Sequence, residues 1–240
     1  QMDQMQFQKT LFETVKNKVF GLKVYMNHTT GDLLMEDQEA LENVFSKWPK
    51  GKPVMVHAEG ETLKKAIDLA KKFDQKLHVC HVSLKQEIEL IKQAKNEGLD
   101  VSCEVSCHHL FLTDQDVKRL GTYGMMRPPL PGKEDQEALW QGIDNGIVDM
   151  IASDHAPHTR EEKENPQKVV NGVPGLETTL PLLVNAVNEG KLALERLIEL
   201  TSTNPGRIFK ISEQDNTEVE VDIEAKYTID SKNLYTKCGW

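Results

Sequence analysis

Long apolar runs are what this sequence most plainly lacks. None approaches the roughly 20 residues that a helix needs to cross a bilayer, and Gln1–Thr10 has no apolar stretch of the kind a secretory leader carries. Cysteine is scarce. Cys80, Cys103, Cys107 and Cys238 are four in 240 residues, too few for a disulfide scaffold, so a reducing, cytoplasmic setting is expected. Positive charge is in deficit, with 29 Lys and Arg against 38 Asp and Glu for a formal net charge of −9, which argues against nucleic acid or an anionic membrane as partner. No glycine-rich phosphate loop follows any strand-like run, which weakens a nucleotide-binding reading. Internal repeats and low-complexity tracts are missing too. What remains is 38% hydrophobic and 28% charged, an ordinary globular balance on a length that one domain can fill.

Apolar β-rich runs alternate with amphipathic stretches. Val19–Met26, Pro53–Ala58, Lys76–Val82, Leu99–Val105 and Ile147–Asp154 read as buried strands. Between them, Asp37–Lys47, Glu61–Asp74, Leu84–Glu97 and Lys133–Gly142 have helical spacing, and Leu63, Ala66, Ile67 and Ala70 repeat along one face. Met2–Asn17 reads as a helix feeding the first strand. A Pro-, Glu- and Lys-rich loop runs from Asp154 to Pro174, followed by helices near Leu176–Asn188, Leu192–Ser202 and Pro205–Phe209. Val219–Ile229 looks like extended strands outside the alternation. Such alternation predicts a parallel α/β sheet, in a barrel or doubly wound. Five strand–helix units fall short of the eight of a (β/α)8 barrel, so about 90–100 residues of a barrel are expected to be missing. The expected division is a partial barrel over 1–212 and a C-terminal extended segment, part of a small accessory β region, over 213–240.

All eight histidines lie between His28 and His158. Five of them, His57, His81, His108, His109 and His158, stand at or just past the C-terminal end of a strand-like run. In parallel α/β folds side chains converge on ligands at that end. One histidine there is an ordinary structural residue. Several on successive strands, with Lys23, Glu104 and Asp154 at equivalent places, form the donor set of a catalytic metal site. Blander readings stand beside this one: Lys23 and Glu104 as salt-bridge partners, Cys80, Cys103 and Cys107 as packing residues, and His108 and His109 as supports for neighbouring loops.

The strings GLKVYMN, VMVHAE, HVCHVS, CEVSCHHLFL, MMRPPL, ASDHAPH and GVPGLETTLPLL, in this order, resemble the dihydroorotase branch of the amidohydrolase superfamily, most closely the dihydroorotase domain of the multifunctional pyrimidine-synthesis protein of animals. The resemblance runs over nearly the whole chain, and ASDHAPH followed by PGLET is its most specific part. It implies a TIM-like (β/α)8 metal-dependent hydrolase that cyclises N-carbamoyl-L-aspartate reversibly to L-dihydroorotate in pyrimidine biosynthesis. By the same resemblance Lys23 is carbamylated and bridges two zinc ions, His57 and His81 ligate the second, and Asp154 ligates the first and shuttles the proton. Cys80 and Glu104 match an additional metal environment, a third ion. Arg127 and His158, with the backbone around Pro174, match substrate-binding residues, and Asn27 and Thr29 lie in the loop expected to close on substrate. A homodimer, and fusion to or association with carbamoyl-phosphate synthetase and aspartate transcarbamoylase, are implied as well.

Two departures are visible. The His-x-His pair that completes the first metal site is absent from these 240 residues, so the chain alone is expected to be inactive. Thr30 stands where the animal domain has an aromatic residue. A sister cyclic amidase (hydantoinase or allantoinase) and a non-catalytic dihydroorotase-like scaffold remain open as alternatives. The LYTKCGW tail has no assigned chemistry.

Overall fold

The computed structural model describes residues 12–29, 31–211 and 218–240. Five strands form one sheet in chain order: β1 (Leu22–Tyr25), β2 (Val54–His57), β3 (Leu77–Val79), β4 (Val101–Ser106) and β5 (Met150–Ala152). All pairings are parallel, with Lys23 beside Met55, Val54 beside Leu77, His78 beside Ser102 and Glu104 beside Met150. Each strand falls on a run expected to be one, with β4 ending one residue beyond its run, at Ser106. β3 is buried at every position, as a parallel sheet covered on both faces requires.

Helices α1 (Gln38–Lys47), α2 (Glu61–Phe73) and α3 (Lys85–Asn96) follow the first three strands. After β4 come α4 (Cys107–Phe111), α5 (Asp114–Leu120) and α6 (Lys133–Asp144). After β5 come α7 (Arg160–Glu164), α8 (Thr179–Asn188), α9 (Leu194–Ile198), a π turn at Glu199–Thr203, and α10 (Asn204–Phe209). The starts are chemical. Asp37 accepts the Ala40 N–H at 2.7 Å, and capping boxes open α5 (Thr113, Asp116) and α7 (Thr159, Glu162). α2 buries Leu63, Ala66, Leu69 and Ala70 along one stripe. These join Val54, Val56, Leu77 and Val105 in a core that runs the length of the sheet.

β5 is fixed from its N-terminal side. The Asp149 carboxylate accepts the Lys95 ammonium at 2.7 Å and the Cys103 N–H at 2.8 Å. Arg196 donates to the carbonyls of Ile143 at 3.0 Å and Val148 at 2.6 Å. These bonds anchor the start of the strand that leads to Asp154.

The structure departs from the sequence reading at four places. α4 starts directly at the end of β4 and makes His108 and His109 helical. α7 interrupts the stretch read as loop. The single helix expected over Leu192–Ser202 is α9 followed by a π turn. Val219–Ile229 forms no strand: its V-E-V-D alternation needs a neighbouring edge to pair with, and among the described residues it finds none, leaving Val219 80% and Tyr227 68% exposed. Among the described residues after Ile229 there is a 3-10 turn at Ser231–Asn233. Of the expected Met2–Asn17 helix, residues 12–15 are helical and residues 1–11 lie outside the described ones; so do 212–217, where the expected 212/213 boundary falls. Among the described residues no helix is long and apolar enough to cross a membrane.

Candidate metal centre

A cavity of about 230 Å3 lies at the C-terminal ends of the strands. Lys23 and Tyr25 of β1, Thr29, His57 of β2, His81, His108, Arg127, Asp154, His158 and the Asn171–Val173 backbone line it. Because strand side chains alternate, Lys23 and Tyr25 share the inward face of β1. His81 and Asp154 sit just beyond β3 and β5 with φ of 37° and 42°. A non-glycine residue held at positive φ costs about 1–3 kcal/mol, and such residues concentrate where a side chain must be aimed at a ligand.

The two histidines at the strand ends meet. His57 Nδ1 lies 2.9 Å from His81 Nε2, with the rings edge to face at 4.6 Å. His57 Nε2, His81 Nδ1, His108 Nε2 and His109 Nδ1 are all buried without a hydrogen-bond partner. Each orphaned polar atom costs on the order of 1–3 kcal/mol. Burial, with the Lys23 and His57 charges adding to it, holds His81 well below the ordinary imidazole range. Burial and neighbouring His109 do the same to His108. Neutral imidazoles with open nitrogens are the form that binds metal, so the residues present fit a cation. Asp154 Oδ2 is 3.9 Å from His108 Nε2. Burial raises the Asp154 carboxyl above its ordinary value and Glu104 adds to this, while Lys23 and His57 oppose it.

A second cluster lies beside the first. The ligand atoms of His78, Cys80 and Glu104 fall within 4.8 Å of one another. His78 Nε2 is 3.1 Å from Glu104 Oε2, and its Nδ1 is 2.9 Å from the Ser102 hydroxyl. Burial pushes the Cys80 thiol up to about 12; Glu104 adds to this and Lys23 opposes it. Burial acts to raise Glu104 as well, but the His78 hydrogen bond and charge, with Lys23, outweigh it and leave the carboxyl below its ordinary value.

Of the residues singled out in the sequence, the cavity gathers Lys23, Thr29, His57, His81, Arg127, Asp154 and His158. Cys80 and Glu104 belong to the adjoining cluster. Asn27 is not among the lining residues: its amide oxygen accepts the Glu59 N–H at 2.8 Å and the Thr62 hydroxyl, bracing the β2–α2 connection. Pro174 faces a neighbouring cavity, and Val173 lines both. His158 Nε2 donates to the Asn171 carbonyl at 3.2 Å. The sequence reading missed His78, although it stands two residues before Cys80 on the same strand face; His108, counted there among the strand-end histidines and also read as a loop support, lines the cavity. His109 does brace a loop, through Nε2 to the Pro128 carbonyl at 3.1 Å.

No family model matches the chain. Known proteins do. Multifunctional protein CAD of Squalus acanthias is 43% identical over 227 residues, 94% of this chain and 10% of that protein. A dihydroorotase of Pyrococcus abyssi is 37% identical over 238 residues, 91% of this chain and 56% of the enzyme. Among solved structures, the L-hydantoinase (dihydropyrimidinase) of Arthrobacter aurescens superposes with a TM-score of 0.77 at 30% identity, over 85% of this chain and 55% of that one. The inactive dihydroorotase-like domain of the Chaetomium thermophilum CAD-like multifunctional protein superposes with a TM-score of 0.69 at 29% identity, over 85% and 57%. The chain thus spans about half the length of the dihydroorotase and hydantoinase it matches, and a tenth of the multifunctional relative.

Proposed function

The chain belongs to the dihydroorotase branch of the metal-dependent cyclic amidohydrolases, and from that membership we propose that its cavity forms part of a site for the reversible cyclisation of N-carbamoyl-L-aspartate to L-dihydroorotate. The observation that carries the proposal is the His57–His81 pair, 2.9 Å apart, with a buried unpartnered nitrogen on each ring beside Lys23 and Asp154.

His57 and His81 would hold one zinc ion, with Lys23 and Asp154 contributing to a second. His78, Cys80 and Glu104 would hold a third. Bound zinc supplies Lewis acidity toward the reacting carbonyl and its water. As an ammonium Lys23 repels a cation; carbamylated at Nζ it would offer two oxygens sharing one negative charge and so help to hold the metals. In ring opening Asp154 carries a proton to the departing ring nitrogen, and in cyclisation it removes one from the attacking carbamoyl nitrogen. Its carboxyl, half-buried and raised above its ordinary value, suits a group that must both take and give a proton. Arg127 and His158 hold the substrate carboxylates by charge-assisted hydrogen bonds. The Val173–Pro174–Gly175 backbone borders the ring, Thr29 offers a hydroxyl, and Asn27 braces the wall behind His57. The proposal extends to a homodimer, and to association with carbamoyl-phosphate synthetase and aspartate transcarbamoylase, which the likeness to a multifunctional relative supports.

A non-catalytic scaffold is the second reading. The likeness to the inactive dihydroorotase-like domain of the Chaetomium thermophilum protein favours it. Zinc content and turnover of the chain separate the two. Zinc binding that is lost in His57→Ala and His81→Ala is expected, with turnover of carbamoyl-aspartate only when a His-x-His-bearing dihydroorotase segment is supplied in trans. Zinc uptake indifferent to both substitutions gives the scaffold reading. Preferential opening of hydantoin gives a sister amidase.

A further inference from the structure

The segment after β5 carries His158 outward and returns at Asn171–Val173 as a cavity wall, with α7 as its one regular element. Residues 234–240 lie across it. The Trp240 indole N–H donates to the His158 carbonyl at 2.8 Å. Arg160 Nε and Nη2 donate to the Gly239 carbonyl at 2.9 and 2.6 Å. The Glu177 carboxylate, just past the wall, accepts the N–H groups of Tyr235 at 2.8 Å and Thr236 at 2.9 Å.

The Trp240 ring also covers the other end of the wall. It packs against the apolar group of Met126, Leu130 and Val173, of which Met126 and Val173 line the cavity. Its centroid is 4.9 Å from the Tyr123 ring and 5.6 Å from Lys163 Nζ. Lys163 is 1% exposed and donates to the carbonyls of Met125 at 2.9 Å and Val170 at 3.2 Å. The Met125 carbonyl in turn accepts the Gly172 N–H at 2.9 Å. Trp240 therefore ties, directly or through one buried cation, the backbones on either side of His158 and Gly172.

We propose that residues 234–240 are a latch for the substrate-facing wall, with Trp240 a positioning residue that holds the His158 carbonyl and the Met125–Gly172 contact in place. The inference rests on the reading of His158 as substrate-binding, and its test keeps the two apart. Hydrogen–deuterium exchange on the zinc-loaded 240-residue chain reads the latch without substrate. Trp240→Ala is expected to speed exchange over residues 155–175 by about tenfold or more, as lost hydrogen bonds and ring packing imply, and to leave residues 54–73 unchanged. Trp240→Phe, which keeps a ring and loses the N–H, is expected to fall between. Tyr235→Ala is the control, because that side chain is 99% exposed. Calorimetric affinity for dihydroorotate is expected to weaken about tenfold in Trp240→Ala with zinc content intact. Unchanged exchange over 155–175, or a rise spread evenly over the whole chain, overturns the latch. Faster exchange with unaltered affinity overturns its role in positioning. Failure of the wild-type chain to bind dihydroorotate even with the His-x-His-bearing segment supplied refutes the substrate reading, while the exchange result still decides the latch.

Discussion

Glu87 offers a perturbation whose sign and size can be worked out. It lies in the first turn of α3, 1% exposed. Its carboxylate accepts the N–H groups of Ser83 at 3.0 Å, Leu84 at 3.1 Å and Gly60 at 3.4 Å. One side chain thus joins the connection that follows His57 to the one that follows His81. Burial pushes its carboxyl from the ordinary 4.5 up to about 7, against the pull of the three N–H donors. A raised acid means that the folded chain holds the proton more tightly than the unfolded one. The associated stability is complete below about pH 4.5 and is lost as pH rises through about 7. At 1.36 kcal/mol per unit the loss is roughly 3 kcal/mol. Glu87→Gln cannot ionise and keeps one acceptor oxygen. It should cost about 1 kcal/mol in acid, where it replaces a neutral acid. It should become the more stable form by about 2 kcal/mol at pH 8. Urea unfolding of both proteins at pH 4.5, 6 and 8 gives the difference at each pH. Parallel stability curves would refute the reasoning, because they would mean that Glu87 ionises as readily in the folded chain as in the unfolded one.

In a turnover-competent assembly containing this chain, Asp154→Asn is expected to keep its zinc and lose about 10²–10⁴-fold in kcat, since an amide cannot accept the proton; unchanged kcat removes Asp154 from the proton path. Arg127→Ala is expected to raise KM by about 10- to 150-fold, equivalent to roughly 1.5–3 kcal/mol for a lost charge-assisted hydrogen bond, with kcat little altered; a fall in kcat at constant KM contradicts its assignment to substrate binding.

The five strands and the helices between the first four of them were legible because two physical signals agree there: buried apolar runs of strand length, and charged stretches with apolar residues at helical spacing. The strand-end residues were legible for the same reason, since locating β2 also locates His57. His78 was not, because attention to strand ends passes over a polar residue inside a strand, although its inward register is fixed by Cys80 two residues later. α4 escaped because it follows β4 with no polar connection, so nothing marks the change of period from two to 3.6. α7 carried a signal that went unused, the Thr159-x-x-Glu162 capping box. The alternation of Val219–Ile229 is a real strand pattern, but a strand needs an edge to pair with, and sequence periodicity says nothing about whether one is at hand. The latch was invisible for a related reason, since its bonds join Trp240 and Gly239 to residues about 80 positions away.

The electrostatics of the two clusters turn on one side chain. The Lys23 charge lowers Cys80, Glu104 and Asp154 and also lowers His81, so a single ammonium favours the anionic forms of three groups and the neutral form of a fourth. That ammonium compensates the acids of the site only in part, since Asp154 stays raised and Glu104 leans first on His78, and a cation placed beside it would meet repulsion at short range. Carbamylation removes the positive charge and adds a negative one. Glu104 and Asp154 would then be left as partly buried carboxylates with no positive neighbour from β1, a costly arrangement unless cations replace it. The modification and the metals therefore stabilise each other in the proposed site. In that proposed site neither would be favourable alone, so metal uptake is expected to depend on carbon dioxide as well as on the His57–His81 pair.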